Sequence, residues 1–145
     1  MTVFRLTRAV TLPADETWCR VTDWRAHAAR VPATSLASVT AGPVREGTVL
    51  VMRSAVGRIG FDDPMEIVRW EPPGQDRAGR CRLEKRGALI TGWAEIEVLP
   101  RGPGSVVVWS EELRVRALPR PLDPLVARVG RRVFGRALDG LLRGR

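Results

Sequence analysis

The sequence predicts an α+β fold: a seven-stranded antiparallel sheet, two short helices after its first strand, and a long C-terminal helix laid over it. Three observations predict it. Between residues 34 and 118 the chain falls into strand-like segments, each closed by a Gly or Pro cluster, with gaps too short for crossover helices. From Leu122 onward apolar residues recur every three and four positions instead, the period of an amphipathic helix. Finally, 145 residues, 44% apolar and 28% charged, are enough to bury a core without a metal or a disulfide.

The first 12 residues alternate as a strand, with Val3, Arg5, Thr7 and Ala9 on one face and Phe4, Leu6, Arg8 and Val10 on the other. Pro13-Ala-Asp-Glu then opens a helix, because Pro suits the first turn and the two acids meet the positive end of the helix dipole. Trp18, Val21 and Thr22 follow at helical spacing, and a second short helix, about Arg25 to Arg30, is stopped by Pro32. Strands are expected at Thr34–Thr40, Thr48–Val56, Phe61–Trp70, Arg80–Arg86, Leu89–Leu99 and Ser105–Leu118. The last helix carries Leu122, Leu125, Val126, Val129, Val133, Phe134, Ala137, Leu138, Leu141 and Leu142 on its apolar side. Arg128, Arg132, Arg136, Asp139 and Arg143 lie opposite. One face of an antiparallel sheet is apolar, and this helix is its natural cover. Gly130, Gly135 and Gly140 each cost about 0.8–1 kcal/mol against Ala inside a helix, which points either to close backbone approach or to space beneath it.

The formal charge of +8 is unevenly placed: residues 1–113 nearly balance, whereas residues 114–145 hold nine arginines against Asp123 and Asp139. Arginine outnumbers lysine 23 to 1, and Asn and Tyr are absent; arginine codons of a GC-rich genome account for this, and a phosphate- or membrane-facing surface is the alternative. Aromatic residues do not interleave the arginines apart from Phe134, and the apolar stripe is committed to the sheet, so a solvated helix face is expected and no nucleic acid partner. No apolar run approaches the roughly 18 residues of a membrane span, and the N-terminal residues mix charges with apolar groups unlike a secretory signal. A cytoplasmic protein of one domain, residues 1–145, monomer or homodimer and without integral membrane association, is expected. Cys19 and Cys81 lack CxxC spacing and are read as small apolar core residues; neither a metal nor a cofactor is expected.

Taken in order, Pro13-Ala-Asp-Glu-Thr-Trp, Asp23-Trp24, Gly47-Thr48, Val68-Arg-Trp-Glu-Pro-Pro73 and Leu99-Pro-Arg-Gly-Pro-Gly-Ser105 resemble the START-like helix-grip superfamily (SRPBCC), in particular its polyketide cyclase/dehydrase-type branch. The resemblance spans the chain and rests on the order of the motifs, each of which alone marks a turn or core position. It implies a curved sheet wrapped around the C-terminal helix with an apolar cavity between them. It also implies binding or carriage of a hydrophobic small molecule, lipid or polyketide-like. A minority of the superfamily cyclise or dehydrate their guest, and a cyclase or dehydratase is the alternative here. A protein-interaction module with a basic helix is a third reading. Fold alone does not choose among them.

Strand alternation names the residues that would face such a cavity. On the last strand Val107, Trp109, Glu111, Leu113 and Val115 share a face that is apolar save for one carboxylate. Enclosed, Glu111 would have its pKa raised by desolvation, the mark of a functional acid; at a cavity mouth it would instead be bridged to an arginine or water. Elsewhere the inward sets are Leu50, Met52, Ser54 and Val56; Met65 and Ile67; Cys81 and Leu83; and Ala94, Ile96 and Val98. With Trp24, Phe134 and Leu138 from the helices, these make a mainly aliphatic ligand surface. Glu111 is the candidate catalytic acid/base, with Ser54 or His27 positioning a carbonyl. His27, the single histidine, otherwise reads as a surface residue of a short exposed helix, and no GxSxG elbow accompanies it. Asp62-Asp63 is a weak metal signal, because adjacent strand residues point to opposite faces.

Overall fold

The structure is a computed structural model that describes residues 3–116 and 118–143. Seven strands form one antiparallel sheet in the spatial order β1-β7-β6-β5-β4-β3-β2. In chain order they are β1 (Val3–Val10), β2 (Thr34–Val39), β3 (Val49–Val56), β4 (Ile59–Glu71), β5 (Gly79–Lys85), β6 (Ile90–Arg101) and β7 (Gly104–Val115). Helices α1 (Ala14–Val21) and α2 (Trp24–Ala29) follow β1, and α3 (Asp123–Arg143) closes the chain after a 3-10 turn at Arg120–Leu122. Apart from β1 closing onto β7, the strands form a meander, so every other connection leaves the sheet at the same end. That end carries the α2–β2, β3–β4, β5–β6 and β7–α3 links.

Local chemistry sets the helix ends, with Pro13 one place before the first turn expected for it and Asp23 starting the second helix rather than ending the first. Pro13 caps α1, with Asp15 and Glu16 in its first turn. The Asp23 carboxylate accepts from the Ala26 amide at 3.1 Å and starts α2. Strand β4 is longer than its apolar run suggested, because hydrogen bonding with β3 continues to the Val56–Ile59 pair. The last strand stops at Val115 rather than reaching Leu118, and Ala117 lies outside the described residues.

The core fills the concave side of the sheet, with Leu50, Ile67, Cys81, Ile96, Val98 and Val107 at or near zero exposure. Trp18 of α1 packs on Trp70 with ring centroids 5.0 Å apart. Helix α3 crosses β1 and β7, pinned at one point by Arg8 to Asp139 at 2.7 Å. Two of its three glycines mark close approach: a Cβ on Gly130 would sit 3.2 Å from the Phe4 ring, and one on Gly140 would meet the Arg30 guanidinium, whereas one on Gly135 would make only ordinary contacts. Gly92 is constrained by its backbone. It has φ of 129°, and a Cβ there would overlap the Glu112 carbonyl oxygen, so β6 passes this point only with glycine.

Four expectations are corrected. Val56, assigned inward, sits at the tip of the β3–β4 hairpin and is exposed, because β3 has run past its covering elements. Leu122, Leu125 and Val129 are exposed as well, since the first turns of α3 are covered through Ala127 and Gly130 instead. Cys19 is exposed on α1, whereas Cys81 is buried. His27 is buried rather than superficial, because α2 lies against the sheet with this side inward.

Candidate functional site

A row of residues runs straight across the sheet: Phe4 of β1, Glu111 of β7, Ala94 of β6, Leu83 of β5 and Ile67 of β4 stand opposite one another in turn. The methyl group of Ala94 is the smallest side chain in the row, and it leaves room between Glu111 and Leu83. Around that gap lies a cavity of about 160 Å³ between the sheet, α2 and α3. Its lining includes the expected Trp24, Leu50, Met52, Ser54, Met65, Leu83, Ile96, Trp109, Glu111, Leu113 and Phe134. Ile67 and Leu138 stand apart from this surface and are wholly enclosed in the packed core.

One wall is aromatic. Trp24, His27 and Trp109 follow one another at centroid distances of 5.3 and 5.1 Å, and Phe134 adjoins Trp109 at 5.6 Å. The Nε2 of His27 bonds to the Val21 carbonyl, which can only accept, so Nε2 carries the proton. Burial pushes the His27 pKa down from 6.5 to about 4, outweighing the Val21 bond and the nearby Asp23 charge, both of which raise it. The imidazole is therefore neutral at pH 7.

The opposite side carries charge that the sequence reading did not assign. Lys85 ends β5 and donates to Asp63 of β4 at 2.8 Å, with both side chains enclosed at 5% and 12% exposure. Lys85 also touches the Met65 sulfur at 3.6 Å. The signal was available: Cys81 and Leu83 face inward, so alternation puts Lys85 inward too, and Asp63 precedes Met65 and Ile67 on the same face of β4. Its neighbour Asp62 points out and pairs with Arg53, so the two adjacent carboxylates do separate to opposite faces. No group of metal-ligating side chains occurs among the described residues.

Glu111 stands between these walls at 2% exposure, away from any mouth. Its Oε1 accepts from Trp109 Nε1 at 3.1 Å. Desolvation raises its pKa above the ordinary carboxylate value, against the opposing pull of Lys85 and the Trp109 bond. Its Oε2, the Oδ1 of Asp63 and the Nε1 of Trp24 are buried without a hydrogen-bond partner among the described residues. All three side chains line the same cavity. Ser54, considered as a carbonyl-positioning group, is engaged with the Thr34 hydroxyl at 3.0 Å.

Among known proteins, the family model described as polyketide cyclase / dehydrase and lipid transport matches residues 1–143. None of the curated proteins matches the sequence. Among solved structures, TTHA0849 of Thermus thermophilus superposes with a TM-score of 0.72 at 16% identity, covering 98% of this chain and 95% of that one. The Zhui aromatase/cyclase of Streptomyces sp. R1128 gives 0.67 at 15% identity over 97% and 91%. Norcoclaurine synthase of Thalictrum flavum, in complex with dopamine and hydroxybenzaldehyde, gives 0.60 at 18% identity over 99% and 88%. At these identities the likeness is one of fold, the helix-grip arrangement of a seven-stranded antiparallel sheet around a C-terminal helix.

Proposed function

The chain belongs to the polyketide cyclase / dehydrase and lipid transport family, and from that premise we propose that it binds a small, mainly apolar molecule carrying a hydrogen-bonding substituent. The observation that carries this reading is the set of three polar atoms, on Trp24, Asp63 and Glu111, that lack a partner among the described residues around one mainly apolar cavity. A buried polar atom left unpaired costs about 1–3 kcal/mol, so a guest that pairs with these atoms recovers what the empty fold forgoes. Carboxylate oxygens ask for a donor, such as a hydroxyl, and the indole N–H asks for an acceptor. The aromatic wall accommodates a flat ring.

Volume limits the size of the guest. A cavity of about 150 Å³ suffices for benzene, whereas drug-sized ligands occupy roughly 300–1,000 Å³. The 160 Å³ here supports a guest of about one ring. A lipid chain or a multi-ring polyketide would need the cavity to widen. Hydroxylated single-ring compounds, hydroxybenzaldehyde among them, are therefore the first probes, and long-chain fatty acids the contrast. At 100 times its dissociation constant a ligand adds about 2.7 kcal/mol, which raises the melting temperature by roughly 6–10 °C for a chain of this size. The reading is abandoned if no ring compound moves the midpoint.

A second reading is favoured by one specific feature, the protonatable, desolvated Glu111 in the field of Lys85. A carboxyl with a raised pKa can deliver and recover a proton at the guest, as a cyclase or dehydratase requires. Glu111→Gln keeps shape and removes that proton. Loss of turnover with binding largely intact supports acid–base chemistry, and undiminished turnover removes Glu111 from any mechanism.

A further inference from the structure

The surface at the cavity end of the sheet is both greasy and basic. The β3–β4 hairpin tip holds Val56 and Ile59 at 77% and 83% exposure, on either side of the exposed Gly57 and Arg58. At the same end, the link into α3 and its first turns expose Leu118, Leu122, Leu125 and Val129, the last two at 54%. Leu122 in the 3-10 turn leads into Leu125 and Val129, which stand at i and i+4 on one stripe of α3. Scattered single apolar residues need no explanation, but two apolar clusters at one end of the sheet do.

Charge decides what covers them. Arg58 stands in the hairpin tip, and Arg114, Arg116, Arg120, Arg128 and Arg132 follow along the end of β7, its link to α3 and the first turns of α3; all six are exposed. None of them is within 4.0 Å of a carboxylate among the described residues, in contrast to Arg53 or Arg82, which are paired along the sheet. The helical stripe itself passes from apolar to basic, Leu125 and Val129 leading on to Arg132 and Arg136. Apolar tips ringed by unpaired guanidinium groups complement an interface with hydrocarbon at one depth and negative charge just above it.

We propose that this end of the molecule docks peripherally on an anionic lipid surface, with Val56, Ile59, Leu122, Leu125 and Val129 entering the headgroup–acyl boundary and the arginines meeting the phosphates. No helix among the described residues is long and apolar enough to cross the bilayer. The cavity residues Ser54, Lys85, Ile90 and Leu113 lie toward the same end, so docking would bring the guest site up to the surface. The inference stands whether or not the guest proposed above is correct.

The test is co-sedimentation of the full chain with vesicles of phosphatidylcholine alone and of phosphatidylcholine mixed with phosphatidylglycerol. Binding is expected to the mixed vesicles only, and to fall steeply as salt is raised. Each arginine at such a surface is worth roughly a fivefold factor, so Arg128→Gln with Arg132→Gln should weaken binding about 25-fold. Val56→Ser with Ile59→Ser should weaken it further and remove the part that survives salt. These positions are exposed, so melting temperature should stay put in both variants, which separates lost docking from lost folding. Absence of binding to mixed vesicles at low salt overturns the proposal. So does equal binding to neutral vesicles, binding indifferent to both pairs of substitutions, or tighter binding to duplex DNA than to vesicles.

Discussion

At the scale of single residues, two buried ionisable groups pull stability in opposite directions with pH. His27 is held neutral with its pKa lowered from 6.5 to about 4, so the unfolded chain takes up a proton that the native one refuses. Stability therefore falls as pH drops from about 6.5 toward 4, by about 3 kcal/mol if the whole shift is expressed. Glu111 has its pKa raised, so its contribution is present below the ordinary carboxylate pKa and is lost as pH rises through the native value. Urea unfolding across this range should show the acid-side loss flattened in His27→Gln. It should also show Glu111→Gln more stable than wild type at neutral pH; a variant that is less stable there would contradict the desolvation account. The cysteines give a simpler check. Burial pushes the Cys81 thiol up to about 12, whereas Cys19 is exposed. A maleimide should label Cys19 in the native protein and reach Cys81 only after denaturation.

At the scale of elements, α3 shows how far periodicity reads and where it stops. The apolar stripe correctly announces a long amphipathic helix, but its first turns run past the sheet's edge, leaving Leu125 and Val129 in the open while Ala127 and Gly130 take the covered positions. A repeat of three and four cannot say which of two adjacent stripes meets the partner. The glycines separate in the same way. An added Cβ at Gly135 finds only ordinary contacts, 3.5 Å to the Arg8 side chain and 3.8 Å to Leu6. Gly135→Ala should therefore stabilise by about 1 kcal/mol through helix propensity. At Gly130 the same methyl would sit 3.2 Å from the ring of Phe4, which is buried and stacked on Phe134, so Gly130→Ala should gain less or lose. Thermal denaturation of the two variants decides it, and equal gains would mean that Phe4 has room to yield.

At the scale of the whole molecule, the site exists because the row from Phe4 to Ile67 carries one small residue where its neighbours are large. Replacing Ala94 with Leu should fill much of the hollow, abolish the melting shift produced by ring compounds, and leave stability within about 1.5 kcal/mol of wild type. A shift of unchanged size would place the guest elsewhere. Alternation had put Trp109, Glu111, Leu113, Met52 and Met65 on the concave face, and they line the cavity. It was not carried one step further to Lys85 and Asp63, because charged residues at strand ends are ordinarily taken for solvent-facing.

The order of residues by itself determined the seven strands, the three helices and the inward face of five of the strands, because those follow from periods of two and of three to four and from where Gly and Pro interrupt them. Tertiary structure alone decided which inward residues pack shut, as Ile67 and Leu138 do, and which stay apart around a space. It also decided that His27 is enclosed, that Lys85 and Asp63, each on an inward register, come within 2.8 Å of one another, and that one oxygen of Glu111 is buried without a partner among the described residues. Those outcomes depend on sheet curvature and helix placement, which bring together side chains distant in the chain and which no local pattern encodes.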